Sequence, residues 1–195
     1  MKFFYLYITT ILLFLWTCST GVELSEPPGY IKVTVSPMNS DTTLTIVNTT
    51  YGIDPADDFR LEFAEGKAFQ DSIFFILYSR PTTFNEEDIE LNILSSNTDI
   101  YEQKTVFNSY LPDGRYTSLD FIIRPSDFRL DGFEIPLITE SGQPLKIELP
   151  VNYTVNSNDT THVALRINVV ESIKRFKDTF LFDPMIEVEG VYVYD

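Results

Sequence analysis

Apolar and polar positions alternate with a period of two along much of this chain, in short segments punctuated by Pro, Gly, Asn and Asp. Residues 42–48 set Leu44 and Ile46 against Thr43, Thr45 and Val47, as a half-buried strand requires. Residues 115–124 put Leu119, Phe121 and Ile123 on one face and Tyr116, Ser118, Asp120 and Ile122 on the other, with Arg124-Pro125 predicting the strand's end. Residues 162–169 repeat the device: Val163, Leu165, Ile167 and Val169 face one way, His162, Ala164, Arg166 and Asn168 the other. Residues 185–194 alternate Ile186 and Val188 with Glu187 and Glu189, and Gly190 is placed to shift the phase as a bulge. Residues 30–35, 59–63 and 89–94 read as further strands. The run from Ile73 to Leu77 is apolar without a break, which predicts a strand through the centre of the core. Only residues 171–177 offer a helical period, and no longer internal repeat is visible.

Strands at this spacing with Pro and Gly turns predict an all-β fold, an antiparallel β-sandwich spanning residues 30–195. Its core should include Leu119, Phe121, Ile123, Leu165 and Ile167.

The opening segment follows a different logic. Lys2 precedes an apolar run from Phe3 to Trp16, interrupted only by Thr9 and Thr10, which is the build of a secretory signal and is short for a membrane span. Cys18 is the only cysteine in 195 residues, and an unpaired thiol is a liability in an oxidising compartment unless it is acylated. Leu15-Trp16-Thr17-Cys18 resembles the bacterial lipobox, so the resemblance assigns residues 1–17 to a signal peptide and the lipid to Cys18. Ordinary secretion with cleavage near Gly21 and an uncleaved anchor are the alternatives. Residues 18–29, with Glu23, Glu26, Pro27, Pro28 and Gly29, read as a lipidated tether. The expected address is the cell envelope, on a membrane through the N-terminal lipid and either periplasmic or surface-exposed.

Charge narrows the partners. The formal net charge is −15, and it becomes −16 without residues 1–17, which hold one base and no acid. Such a balance repels phosphate-rich polymers and excludes nucleic acid as a partner. The acids are scattered, and 14% aromatic content marks a packed chain.

From residue 105 to residue 190 the chain carries Leu111-Pro-Asp-Gly-Arg-Tyr116, then Leu145-Lys-Ile-Glu148, Val163-Ala-Leu-Arg-Ile-Asn168, Ser172-Ile173 and Phe182-Asp-Pro-Met-Ile-Glu-Val188. This series resembles a family of exported bacterial lipoprotein domains catalogued as domain of unknown function 4382. The family has Asp-Phe-Asp where this chain has Arg166-Ile167-Asn168, and its Asp-Ala-Pro segment is echoed by Asp54-Pro55-Ala56-Asp57. The resemblance implies a prealbumin-like or carbohydrate-binding-like sandwich and brings no established activity with it.

Candidate chemistry is sparse. Gly-x-Ser-x-Gly, a Gly-rich phosphate loop and His-Glu-x-x-His are absent, and no cofactor is expected. The single histidine, His162, has no acid at ligand or triad spacing and reads as an exposed strand residue. Asp54, Asp57 and Asp58 gather hard oxygen donors in one turn and are the calcium candidate, without the spacing, Gly or closing Glu of an EF-hand. Tyr101, Tyr110, Tyr116, Tyr192 and Tyr194 offer flat faces for sugar stacking, with core packing the competing use. The sequons at Asn48, Asn152 and Asn158 matter only in a eukaryotic secretory pathway. The expectation is an envelope lipoprotein with a non-catalytic sandwich that binds glycan or protein. A carboxylate-based hydrolase acting on polysaccharide is the alternative.

Overall fold

A computed structural model describes residues 27–38, 43–46, 49–54, 56–80, 88–97, 100–177 and 179–194. The expected signal peptide, Cys18 and the Asn48 sequon lie outside the described residues. The elements in chain order are β1 (Gly29–Pro37), β2 (Thr43–Ile46), β3 (Thr49–Gly52), β4 (Asp58–Gln70), β5 (Ile73–Leu77), β6 (Ile89–Asn92), β7 (Ser96–Asn97), β8 (Ile100–Tyr101) and β9 (Lys104–Leu111). They continue with β10 (Gly114–Leu130), β11 (Phe133–Glu134), β12 (Leu137–Ile138), β13 (Leu145–Val155), β14 (Thr160–Asn168), β15 (Ile173–Phe176), β16 (Thr179–Phe182) and β17 (Met185–Tyr194).

Two main sheets share one core. The first runs β17-β14-β1-β9; the second runs β11-β10-β4-β5, with β13 also on β10 and β6 also on β4. The architecture is the predicted all-β sandwich, with two departures from antiparallel pairing: β1 lies parallel to β14, from Tyr30 opposite Thr160 to Pro37 opposite Ile167, and the short β12 lies parallel to β16. A short β12-β16-β15 sheet and two two-stranded hairpins complete the described part.

Alternation explains the burial. Ile31, Val33 and Val35 of β1 and Val163, Leu165 and Ile167 of β14 are buried, as are Leu119, Phe121 and Ile123 of β10. Rings bind the layers together: Phe121 lies 5.9 Å from Phe63 and 6.1 Å from Phe107 of the opposite sheet, while Phe59 lies 5.4 Å from Phe128 and 5.9 Å from Phe182. Each such ring contributes about 1.5–3 kcal/mol by leaving water. Gly66 permits the sheets to approach, because a Cβ there would sit 2.6 Å from the Phe107 ring.

Several expectations need correction. Residues 73–77 form β5, an edge strand, with Ile73 and Phe74 exposed. The apolar run is accommodated locally: Phe74 packs 5.8 Å from Phe69 under the Lys67 ammonium, and Phe75 meets Tyr116 at 6.0 Å on the inner side. Strand β10 does not stop at Pro125 but continues to Leu130, because Ser126 is an extra residue in its pairing with β4 and a bulge tolerates proline. Residues 171–177 form a turn and β15 instead of a helix, with Asn168 accepting from the Glu171 and Ser172 backbone amides and Ser172 Oγ accepting from Met185 N–H. Residues 58–70 form a single strand, longer than the segment 59–63 read from the sequence, and Gly29 already belongs to β1.

Candidate functional site

The outward faces of the two sheets differ in chemistry. On the larger sheet, charged side chains pair across strands: Arg124 with Glu62, Lys146 with Asp120 at 3.1 Å, and Arg60 with Glu90 at 3.5 Å, while Lys146 also meets Glu148 along β13. On the four-stranded sheet an ion pair between Arg166 and Glu189 lies toward one end, and aromatic side chains gather toward the other. Register sets Tyr110, Tyr30, Thr160 and Tyr194 in one row across β9, β1, β14 and β17, and Asn108, Lys32, His162 and Tyr192 in the next. Neither row contains a carboxylate.

These eight side chains project outward because their neighbours Ile31, Val33, Thr161, Val163 and Ser109 fill the inward positions. Tyr110, Tyr192 and Tyr194 are 60%, 44% and 53% exposed. Tyr30 meets Tyr110 edge-on, with centroids 5.2 Å apart. His162 bridges the other pair, 5.8 Å from Tyr192 and 6.3 Å from Tyr194, with ring planes inclined by 40° and 31°. The result is a shallow aromatic floor across the sheet.

His162 is therefore not the isolated exposed residue expected from its spacing. It is half-buried, and a 2.8 Å hydrogen bond joins its Nε2 to Thr34 Oγ1. Its pKa is held below the ordinary 6.5, first by desolvation and then by Lys32, with Glu189 opposing. Glu189 is itself ion-paired with Arg166. Burial, and then Tyr110, raises the Tyr30 pKa, so its phenol remains protonated and able to donate. Lys32 is not among the Lys and Arg side chains that make ion pairs with described residues. Beside it, Asn108 Oδ1 is shielded from solvent and has no hydrogen-bond donor among the described residues.

Of the five sequence-predicted tyrosines, three assemble here: Tyr110, Tyr192 and Tyr194. Tyr116 does not. In the β10–β13 pairing Thr117 alone stands against Val151 and Asn152, and this irregularity shifts the phase of β10 and turns Tyr116 into the core, where it is fully buried. Its hydroxyl donates to Pro112 O at 2.8 Å and its ring stacks on Tyr153 at 5.2 Å. Burial, and then Asp113, pushes its pKa up to about 12. Tyr101 is also elsewhere, half-buried at the short β7–β8 hairpin, its pKa raised by burial and by Asp54 and Asp57. Tyr30, Lys32 and Asn108 were missed. Alternation in β1 marks Tyr30 and Lys32 as outward, but nothing local marks the face they share with β14 and β17.

The aspartate turn is occupied by backbone. Asp57 accepts from Asp54 N–H at 2.9 Å and from Asp131 N–H at 2.8 Å, Asp54 accepts from Ala56 N–H, and Asp58 accepts from the Asn92 amide. Among the described residues no three His, Cys, Asp or Glu side chains gather as a metal site. Carboxylates border shallow cavities: Asp127 and Glu134 one of about 170 Å³, Glu134 also one of about 280 Å³, and Glu171 and Glu187 one of about 230 Å³. Asp127 is paired with Arg129 at 3.2 Å.

No family model matches the chain, and neither the curated proteins nor the solved structures contain a match to it.

Proposed function

We propose that this chain is an envelope-anchored lipoprotein whose sandwich is a non-catalytic binding module, and that it takes a glycan on the outward face of the four-stranded sheet. The observation that carries this reading is the gathering of Tyr30, Tyr110, Tyr192, Tyr194 and His162 on one solvent-facing surface. Sugar rings present apolar C–H faces with hydroxyls at their edges. Exposed tyrosines match both, stacking against the face while the phenol hydrogen-bonds at the rim. A rigid strand platform also spares the ordering cost that a loop site would incur. The lipobox-like Leu15 to Cys18 and the resemblance of residues 105–190 to exported lipoprotein domains support the envelope address.

The test uses the full chain, purified in detergent, on a polysaccharide array. Tyr192→Ala and Tyr194→Ala should lose retention while melting close to the parent, and unchanged retention overturns the site. Hydrolysis of any retained polysaccharide that disappears on replacing one carboxylate, with the fold intact, overturns the non-catalytic part. Mass spectrometry of the mature N-terminus checks the anchor: a diacylglycerol adduct on Cys18 is expected, and a Cys18→Ala form with unchanged processing and membrane fractionation rules it out.

A further inference from the structure

We propose that the glycan taken by this face is acidic: a chain of more than one sugar ring, laid across the strands, with a carboxylate seated over Lys32 and His162. The proposal rests on the reading above and adds the ligand's charge and direction.

Charge is the first argument. The chain carries 29 acids against 14 Lys and Arg, yet the two outward rows hold no acid and place one cation, Lys32, near their middle. Of the six described lysines, Lys67, Lys104, Lys146 and Lys174 have an acidic partner, and Lys177 lies over the Phe176 ring. Lys32 has no acidic partner among the described residues, and its neighbours Tyr30, Asn108 and His162 are polar and uncharged or weakly basic. A ligand carboxylate supplies the missing partner, and His162, held by Thr34, lies at the adjoining register position to share it.

Direction is the second. The rings are distributed along the hydrogen-bonding direction: Tyr110 on β9, Tyr30 on β1, and Tyr192 and Tyr194 on β17. Those strands are three spacings apart, about 14 Å, which exceeds one sugar ring. The cation, on β1 beside Tyr30, falls between Tyr110 of β9 and the tyrosines of β17, so a ligand stacked on those outer rings carries its acid in the interior of the chain.

The global charge sets a limit. A net −15 repels polyanions, but at physiological salt that repulsion is screened beyond about 8 Å, whereas a contact at Lys32 is not. The ligand therefore bears spaced carboxylates. A phosphodiester polymer or an anionic bilayer, with dense charge, fits this surface less well.

Titration calorimetry of the full chain in detergent would compare an oligosaccharide of alternating uronate and neutral sugars with the same oligosaccharide after its carboxyls are reduced to alcohols. The uronate form should bind roughly tenfold tighter or more, as a charge-assisted hydrogen bond allows. Lys32→Met should erase that preference while leaving the reduced form's affinity within about twofold, and Lys32→Arg should restore it. Equal binding of both forms by the parent chain overturns the acidic ligand and leaves the glycan reading standing, as does a preference that survives Lys32→Met. Binding of neither form across a panel of backbones overturns both. Two further outcomes would also overturn both: uptake of Cys18→Ala chain onto phosphatidylglycerol vesicles, or self-association abolished by Tyr192→Ala, each without any sugar binding.

Discussion

Tyr192 folds its ring back over Gly190, so that a Cβ added to the glycine would lie 2.8 Å from the phenol oxygen. Gly190 is also where β17 changes phase: it pairs with Ala164, the next pair is Leu165 with Val188, and Glu189 is the extra residue. The bulge read from the sequence thus does two things. It returns the strand to register and it clears floor space on which an exposed ring can lie flat, two positions from His162's partner.

Gly190→Ala should therefore displace Tyr192 while leaving stability within about 1 kcal/mol of the parent, since only the far end of a side chain must move. Ring-proton resonances of Tyr192 and His162 should shift and glycan retention should fall. Unchanged resonances would show that the glycine is not what seats the ring.

Tyr116→Phe removes one buried hydroxyl and its hydrogen bond to Pro112 O. A cost of about 1 kcal/mol is expected in chemical denaturation, with no change in glycan retention. A retention loss at unchanged stability would return Tyr116 to the ligand set.

Phe121→Ala opens a cavity between Phe63 and Phe107, where the two sheets meet. It should cost about 3–5 kcal/mol. A cost below about 1 kcal/mol would contradict its place between the sheets.

His162 has a lowered pKa because desolvation and Lys32 oppose its charge more than Glu189 favours it. The unfolded chain, with histidine near 6.5, takes up the proton first as pH falls. His162's contribution to stability is thus present above pH 6.5 and lost as pH drops toward its folded value. Gln keeps a partner for Thr34 and cannot titrate, so His162→Gln should gain stability relative to the parent as pH falls below 6.5. A stability difference that stays constant with pH would show that the histidine titrates normally.

Much of the fold was legible because a strand's burial follows a period of two that can be counted in the sequence. Leu119, Phe121, Ile123, Val163, Leu165 and Ile167 are buried where alternation puts them, and Gly190 bulges where it interrupts the pattern. Counting fails where one residue is inserted without a sequence mark. An extra residue of β13 opposite Thr117 turned Tyr116 inward, and the extra residue Ser126 of β10 carried that strand past Pro125. Nor does hydrophobicity state position: the unbroken apolar run 73–77 reads as central, but β5 is an edge strand whose rings cover one another and sit under Lys67.

The all-β class, the inward faces of β10 and β14 and the polar face of His162 can be read from the chain alone, because each follows from the pleat of a single strand. That Tyr30, Lys32, His162, Tyr192 and Tyr194 share one surface comes from the assembly of the sheet. Lys32 and His162 are 130 positions apart and become neighbours through a parallel pairing of β1 with β14, and β9 and β17 add their tyrosines on either side. Strand order is a property of the whole core, settled by which faces bury each other, and no local pattern encodes it.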